Sequence, residues 1–337
     1  MMAKFLLTLF REFLNTFIHS SGDDPLLARA HGLLNPEPTQ GNHVIVLIPI
    51  VGGIILDVLI RYMIGQVVMN LLILETGEPQ ARYWSVSGGR KGKAASRRLL
   101  ATLSFLLHHG GITLLFNGIG AACTYWAAHS SLTKLLSSLI LRRRFLRPLA
   151  YPIASILLAE THLSWTARTI LPPDQARYVD GARDRRRWAA LALPTLIHAS
   201  AESILSHLPA LAEELIGAPQ ESMDEATHST IIMSEIIVCV LMLACQLLLL
   251  LPSRIALISV EASLLPRTCE TLVFSPTRQR GTRVREIFPT AELPLRTRSA
   301  WQMIGVGRLM WCLELHGKMC LWLMGVTALV HSAVYCL

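Results

Sequence analysis

The chain has 337 residues, 52% of them hydrophobic and 16% charged, with a mean hydropathy of +0.45. Soluble domains carry about 25% charged residues, so this composition excludes an ordinary water-surrounded domain and fits a chain whose solvent is partly lipid. The net charge of +8 comes from basic residues set between apolar blocks, with no basic domain interleaved with stacking aromatics. That arrangement argues against nucleic acid and for topology signals and lipid headgroups.

Residues 1–20 carry Phe5, Leu6, Leu9, Phe10, Phe13, Leu14, Phe17 and Ile18 at helical spacing, with Lys4, Arg11 and Glu12 between them. The stripe predicts an amphipathic helix lying on a bilayer. A mitochondrial presequence is the second reading, against which Glu12 and the scarcity of arginine count. Pro25, Pro36, Pro38 and Gly41 make the rest of 1–43 a loop.

A membrane-crossing helix needs about 20 apolar residues. Block 44–74 meets that length, with Asp57 and Arg61 inside it. Block 99–128 has His108-His109-Gly110-Gly111 in its middle and reads as a span or as a re-entrant hairpin at the glycine pair. Blocks 148–171 and 188–208 follow, the latter containing Pro194. Block 231–251 is the cleanest, closing on five leucines from Leu247 and stopping at Pro252.

The stretch 252–300 reads as a polar, Arg-rich loop, and its run from Ile255 to Glu261 partly alternates, which predicts a short strand. The closing block 301–337 is too long for one span and carries Arg308, Glu314, His316 and Lys318 in its first half. It reads as an amphipathic helix over 299–317 and a sixth span over 319–337. The expected fold is therefore all-α, a polytopic transmembrane helical bundle of about six spans, five of them within 44–251.

Lys and Arg in short loops set orientation. Loops 75–98, 172–187 and 252–300 hold six, five and eight of them. The N-terminal segment and loops 129–147 and 209–230 hold three, five and none. The richer side is expected to face the cytoplasm, or the matrix in a mitochondrion; the resident membrane, endomembrane or mitochondrial, stays open. Arg142, Arg143 and Arg144 run against the pattern and are candidates for lipid headgroups, as are Arg90, Lys91 and Lys93. The latter three sit in a phosphate-friendly run, but three residues separate Gly88 from Gly92 where a P-loop needs four.

Ionisable groups inside spans are costly and raise a functional hypothesis by default. Asp57, Glu160, His162, His198, Glu202 and Glu235 are the candidates for a transport path. His198 and Glu202 stand four apart and share a helix face, whereas Glu160 and His162 do not. An enzyme would instead need His108, His109, His162 and His198 to converge. No metal motif, cofactor fingerprint or nucleophile elbow is present, and the seven cysteines form no CxxC pair, so neither a cofactor nor a metal is expected. Pro172-x-Asp174-x-x-Arg177 is similar to the repeat motif of mitochondrial carriers, but it occurs once where a carrier has three.

Ala159 to Thr166, Val260 to Pro266 and the block opening Ser299-Ala300-Trp301 resemble stretches of uncharacterised fungal multi-pass membrane proteins, some labelled "ubiquitin carrier protein". The resemblance spans roughly residues 95–337 and implies a multi-pass fold without implying an activity. At Phe274-Ser275-Pro276-Thr277 the chain departs from the pattern, lacking its acidic residue. The expected function is a non-catalytic accessory or scaffold protein, with a secondary transporter and a membrane-embedded enzyme as alternatives. The lipid bilayer is the one expected partner.

Overall fold

The computed structural model describes residues 43–76, 98–141, 143–176, 184–216, 237–238, 240–274, 281–288 and 294–336. The N-terminal amphipathic helix expected over 1–20 lies outside the described residues.

Block 44–74 forms one unbroken rod made of α1 (His43–Ile60), a π-helical segment (Arg61–Val68) and α2 (Met69–Glu75). Its long, mostly apolar run makes Ile48–Glu75 a candidate span. The second block splits into α3 (Leu99–Leu115) and α4 (Ile119–Leu135), the latter continued by a π-helical segment (Leu136–Ile140). The two are bent by 42° where they meet, and α3 is itself kinked at the expected glycine pair, where Gly111 has φ 65° and ψ −161°.

Gly118 makes the bend possible. Its φ is 83°, and a Cβ there would stand 3.0 Å from Arg168 Cβ and 3.2 Å from the Tyr62 hydroxyl. Only glycine meets both the backbone and the space requirement.

The third block is broken at Leu158 into α5 (Ala150–Leu157) and α6 (Ala159–Ile170), followed by the short α7 (Pro173–Ala176). α8 (Arg185–Ile216) absorbs Pro194 without a break and supplies the candidate span Arg185–Leu208.

The fifth block corrects the sequence reading. Its candidate span is Val240–Ser263, with a π-helical segment (Gln246–Leu250) leading into α9 (Leu251–Ser263). Pro252 does not stop the helix, and Ile255 to Glu261 is helical rather than a strand. The π-helical step has already displaced the hydrogen-bond ladder, so the N–H that Pro252 lacks costs little there.

The last block is also one element. α12 (Val306–Cys336) runs straight through the expected join at 317–319. Three of its ionisable groups have partners: Lys318 donates to Glu314 at 2.9 Å along the helix, and Arg308 donates to the Thr76 carbonyl at 2.5 Å, where α2 ends.

Between α9 and α12 the chain builds a small cap. β1 (Glu270–Phe274) pairs antiparallel with β2 (Gly281–Arg283), and α10 (Val284–Ile287) and α11 (Thr297–Gln302) follow. The cap sits on the ends of the long helices. Leu295 N–H donates to Ser263 Oγ at 2.9 Å, and Glu270 N–H donates to Gln175 Oε1 at 2.8 Å. Burial pushes the Cys269 thiol above its usual range, which suits a packing residue.

The core centres on α9, which is buried along its whole length apart from the half-buried Arg254. Residues 71–74 of α2, Leu163 and Ile170 of α6, and Leu315 and Met319 of α12 belong to the same hydrophobic cluster. Among the described residues four helices are long and apolar enough to cross a membrane, or five if the bent pair forms one span.

A polar cluster buried between the helices

The candidate site grows from helix positions that face inward. In an α-helix, residues three and four apart share a face. On α6 that face presents His162 and Trp165, on α8 His198 and Glu202, on α4 Tyr125 and His129, and on α9 Ser253 and Glu261.

His162 Nδ1 lies 2.6 Å from Glu261 Oε1, and the Glu261 side chain is 0% exposed. Among the described residues the second carboxylate oxygen, Glu261 Oε2, has no hydrogen-bond partner. The Tyr125 ring stands 5.2 Å from His162 and 5.6 Å from His129, centroid to centroid. His129 Nε2 lies 2.8 Å from Ser155 Oγ, and its ring meets Tyr151 at 4.5 Å. The Tyr151 hydroxyl donates to Glu202 Oε2 at 2.9 Å, Glu202 Oε1 lies 3.5 Å from His198 Nε2, and His198 Nδ1 lies 3.1 Å from Ser253 Oγ.

The result is one continuous run of polar side chains from Glu261 to Ser253, contributed by α4, α5, α6, α8 and α9. The Glu261–His162 pair and Ser253 are shielded, while Glu202, between them in the run, has a side chain that is 38% exposed.

Arg254 serves a neighbouring need. Its guanidinium donates to the Gly65 carbonyl and, at 2.6 Å, to Gln66 Oε1. Both acceptors lie in the π-helical segment (Arg61–Val68), where the regular ladder is displaced. An arginine inside a membrane helix is costly, and fitting it to freed backbone groups is one way to offset that cost.

The candidates from the sequence distribute unevenly. His162, His198 and Glu202 enter the cluster. Asp57 is buried but pairs with Arg61 one turn away at 2.7 Å. Glu160 accepts from the Asp184 N–H at 3.1 Å beside the start of α8. Glu235 lies outside the described residues, as do Arg90, Lys91, Lys93 and Arg142. Arg143 is exposed, and Arg144 opens a short 3-10 helix (Arg144–Leu149). His108 and His109 are exposed on α3, away from the cluster, so the four histidines of the enzyme reading do not converge. Among the described residues no group of three or more His, Cys, Asp or Glu is arranged to hold a metal.

The sequence reading passed over Glu261, Arg254 and Ser253 because it placed them in a loop. It passed over His129 because the second block was ended at Ala128, and Tyr151, although inside the third block, because a tyrosine carries no charge that a span would have to offset. The signal for α9 was present: apolar Ile255, Ile258 and Ala262 stand three and four apart, one face of a helix, whereas a spacing of three puts residues on opposite faces of a strand.

Fold and cluster together fit a helical membrane protein. No family model matches the chain, and neither a curated protein nor a solved structure matches it.

Proposed function

We propose that the chain is a non-catalytic accessory or scaffold protein of a membrane, with six crossings held together by buried polar braces. The observation that carries this reading is the engagement of its intramembrane carboxylates: Asp57 with Arg61, Glu202 with Tyr151 and His198, and Glu261 with His162. Two of these pairs, Glu202 with Tyr151 and Glu261 with His162, join different helices and fasten them to one another.

Six crossings rest on which residues meet. Asn117 Nδ2 donates to the Leu171 carbonyl at 3.2 Å, while His129 meets Ser155, so α4 runs antiparallel to α5 and α6. The Ser203 hydroxyl donates to the Pro148 carbonyl at 3.2 Å, and Trp188 Nε1 donates to the Ile156 carbonyl at 2.9 Å, so α8 runs antiparallel to α5 in turn. These pairings support six crossings, under which loops 75–98, 172–187 and 252–300 share the side with more Lys and Arg. That side faces the cytoplasm or the matrix. The resemblance to fungal multi-pass proteins belongs to the same proposal.

A secondary transporter is the second reading, and the unbroken run of titratable groups from Glu261 to His198 favours it. Reconstitution of the full chain into liposomes with an internal pH indicator separates the two. The scaffold reading expects no proton or solute flux above protein-free vesicles, and loss of thermal stability on cutting a brace. Flux that disappears in Glu202→Gln while the variant stays folded overturns it.

A further inference from the structure

The cap carries an unbalanced set of arginines. Arg267, Arg283, Arg285, Arg296 and Arg298 are all exposed. Arg283 is paired with Glu270 at 3.6 Å. Among the described residues the other four have no carboxylate partner.

They are gathered by the backbone. The Val284 N–H donates to the Cys269 carbonyl at 3.1 Å, which brings Arg283 and Arg285 beside the turn that holds Arg267. The Leu295 N–H donates to Ser263 Oγ at 2.9 Å, which brings Arg296 and Arg298 to the same turn from the other side.

Their height is fixed by the helices. Arg267 follows the last residue of the span Val240–Ser263 by four positions, and the span Val306–Ala333 starts eight positions after Arg298. Trp301, exposed, lies between Arg298 and that span, and Trp188, also exposed, opens the span Arg185–Leu208. Exposed tryptophans at span ends mark the headgroup level. Four unpaired guanidinium groups are therefore tethered within about a Debye length of the bilayer surface.

We propose that this cap is a binding surface for anionic phospholipid headgroups, with Arg267, Arg285, Arg296 and Arg298 as the contact residues. Guanidinium forks match phosphate oxygens in pairs, and each basic residue at an anionic surface strengthens association about fivefold. The surface concentrates acidic lipid around the protein on its basic side. It does not depend on whether the buried cluster braces or conducts.

The test uses the full chain reconstituted in phosphatidylcholine bilayers with trace spin-labelled phosphatidylserine or phosphatidylcholine. The proposal expects a motionally restricted fraction several times larger for phosphatidylserine, reduced by 0.5 M salt (a concentration chosen to shrink the Debye length to about 4 Å). It expects the preference to vanish in the fourfold variant Arg267→Gln, Arg285→Gln, Arg296→Gln, Arg298→Gln. An unchanged circular-dichroism melt shows that variant to be folded, and pairwise variants give graded losses should the fourfold one fail to fold. Equal retention of the two lipids by the unaltered chain overturns the proposal, as does a preference that survives the substitutions. A surface made for an acidic protein gives the first of those results.

Discussion

α9 and α12 both belong to candidate spans, yet they use opposite chemistry. α9 is enclosed on every side and carries Ser253, Arg254, Ser259, Glu261 and Ser263 among its apolar residues. α12 is largely uncovered, with Met310, Leu321, Trp322, Met324 and Leu329 all more than half exposed. In water the enclosed helix is the greasier one. Here the enclosed helix keeps several polar side chains and the uncovered one shows large apolar side chains, because lipid accepts apolar groups while the protein interior supplies hydrogen-bond partners. The polar residues of α9 are thus a sign of its central place.

The contrast is broken most sharply at Glu261. Replacing it with Leu leaves His162 without its carboxylate, and removal of one partner of a buried pair costs about 3 kcal/mol. Thermal unfolding of the full chain in detergent is expected to show that loss, with much of it recovered when His162→Phe is added. If E261L unfolds like the unaltered chain, the pair is no brace.

Crowding comes next. Ala256 is 1% exposed on α9, so Ala256→Leu has nowhere to go and is expected to cost about 2 kcal/mol. Denaturant titration of the same preparation measures it, and a neutral result means that α9 is less enclosed than described.

A smaller effect sharpens the picture at the one face that α12 does bury. A Cβ on Gly53 would fall 2.4 Å from Val330 Cγ2, whereas one on Gly52 would meet nothing within 4 Å. Gly53→Ala is expected to destabilise by about 1 kcal/mol through overpacking. Gly52→Ala is expected to be neutral or slightly stabilising, since alanine is the better helix former. Equal melting temperatures for the two variants contradict the α1–α12 contact.

The smallest change is expected on the open face of α12. Leu321 is 69% exposed, and Leu321→Ala is expected to shift stability by less than about 0.5 kcal/mol. A loss comparable to that of Ala256→Leu signals a partner covering this face.

Much of the fold is legible in the sequence because hydrophobic length is a one-dimensional property. The rod over 44–74 and the spans near 188–208 follow from run length alone. The joins fail where local and tertiary signals conflict. Pro252 reads as a stop, yet the π-helical segment before it lets the helix continue. Lys318 and Glu314 read as an interfacial break, yet they neutralise each other along one helix. Half of the site follows a similar pattern. His198 and Glu202 are recognisable from their spacing, while Glu261 and Arg254 gain their meaning from partners 99 and 189 residues away.

By itself the sequence determined the solvent of this protein. A low charged fraction and long apolar runs fit a helical chain in a bilayer, since only intrachain hydrogen bonding satisfies a backbone there. Tertiary structure decided which helix lies at the centre and which polar groups meet. Those depend on contacts between distant segments, and hydropathy, which weighs each residue alone, contains no term for them.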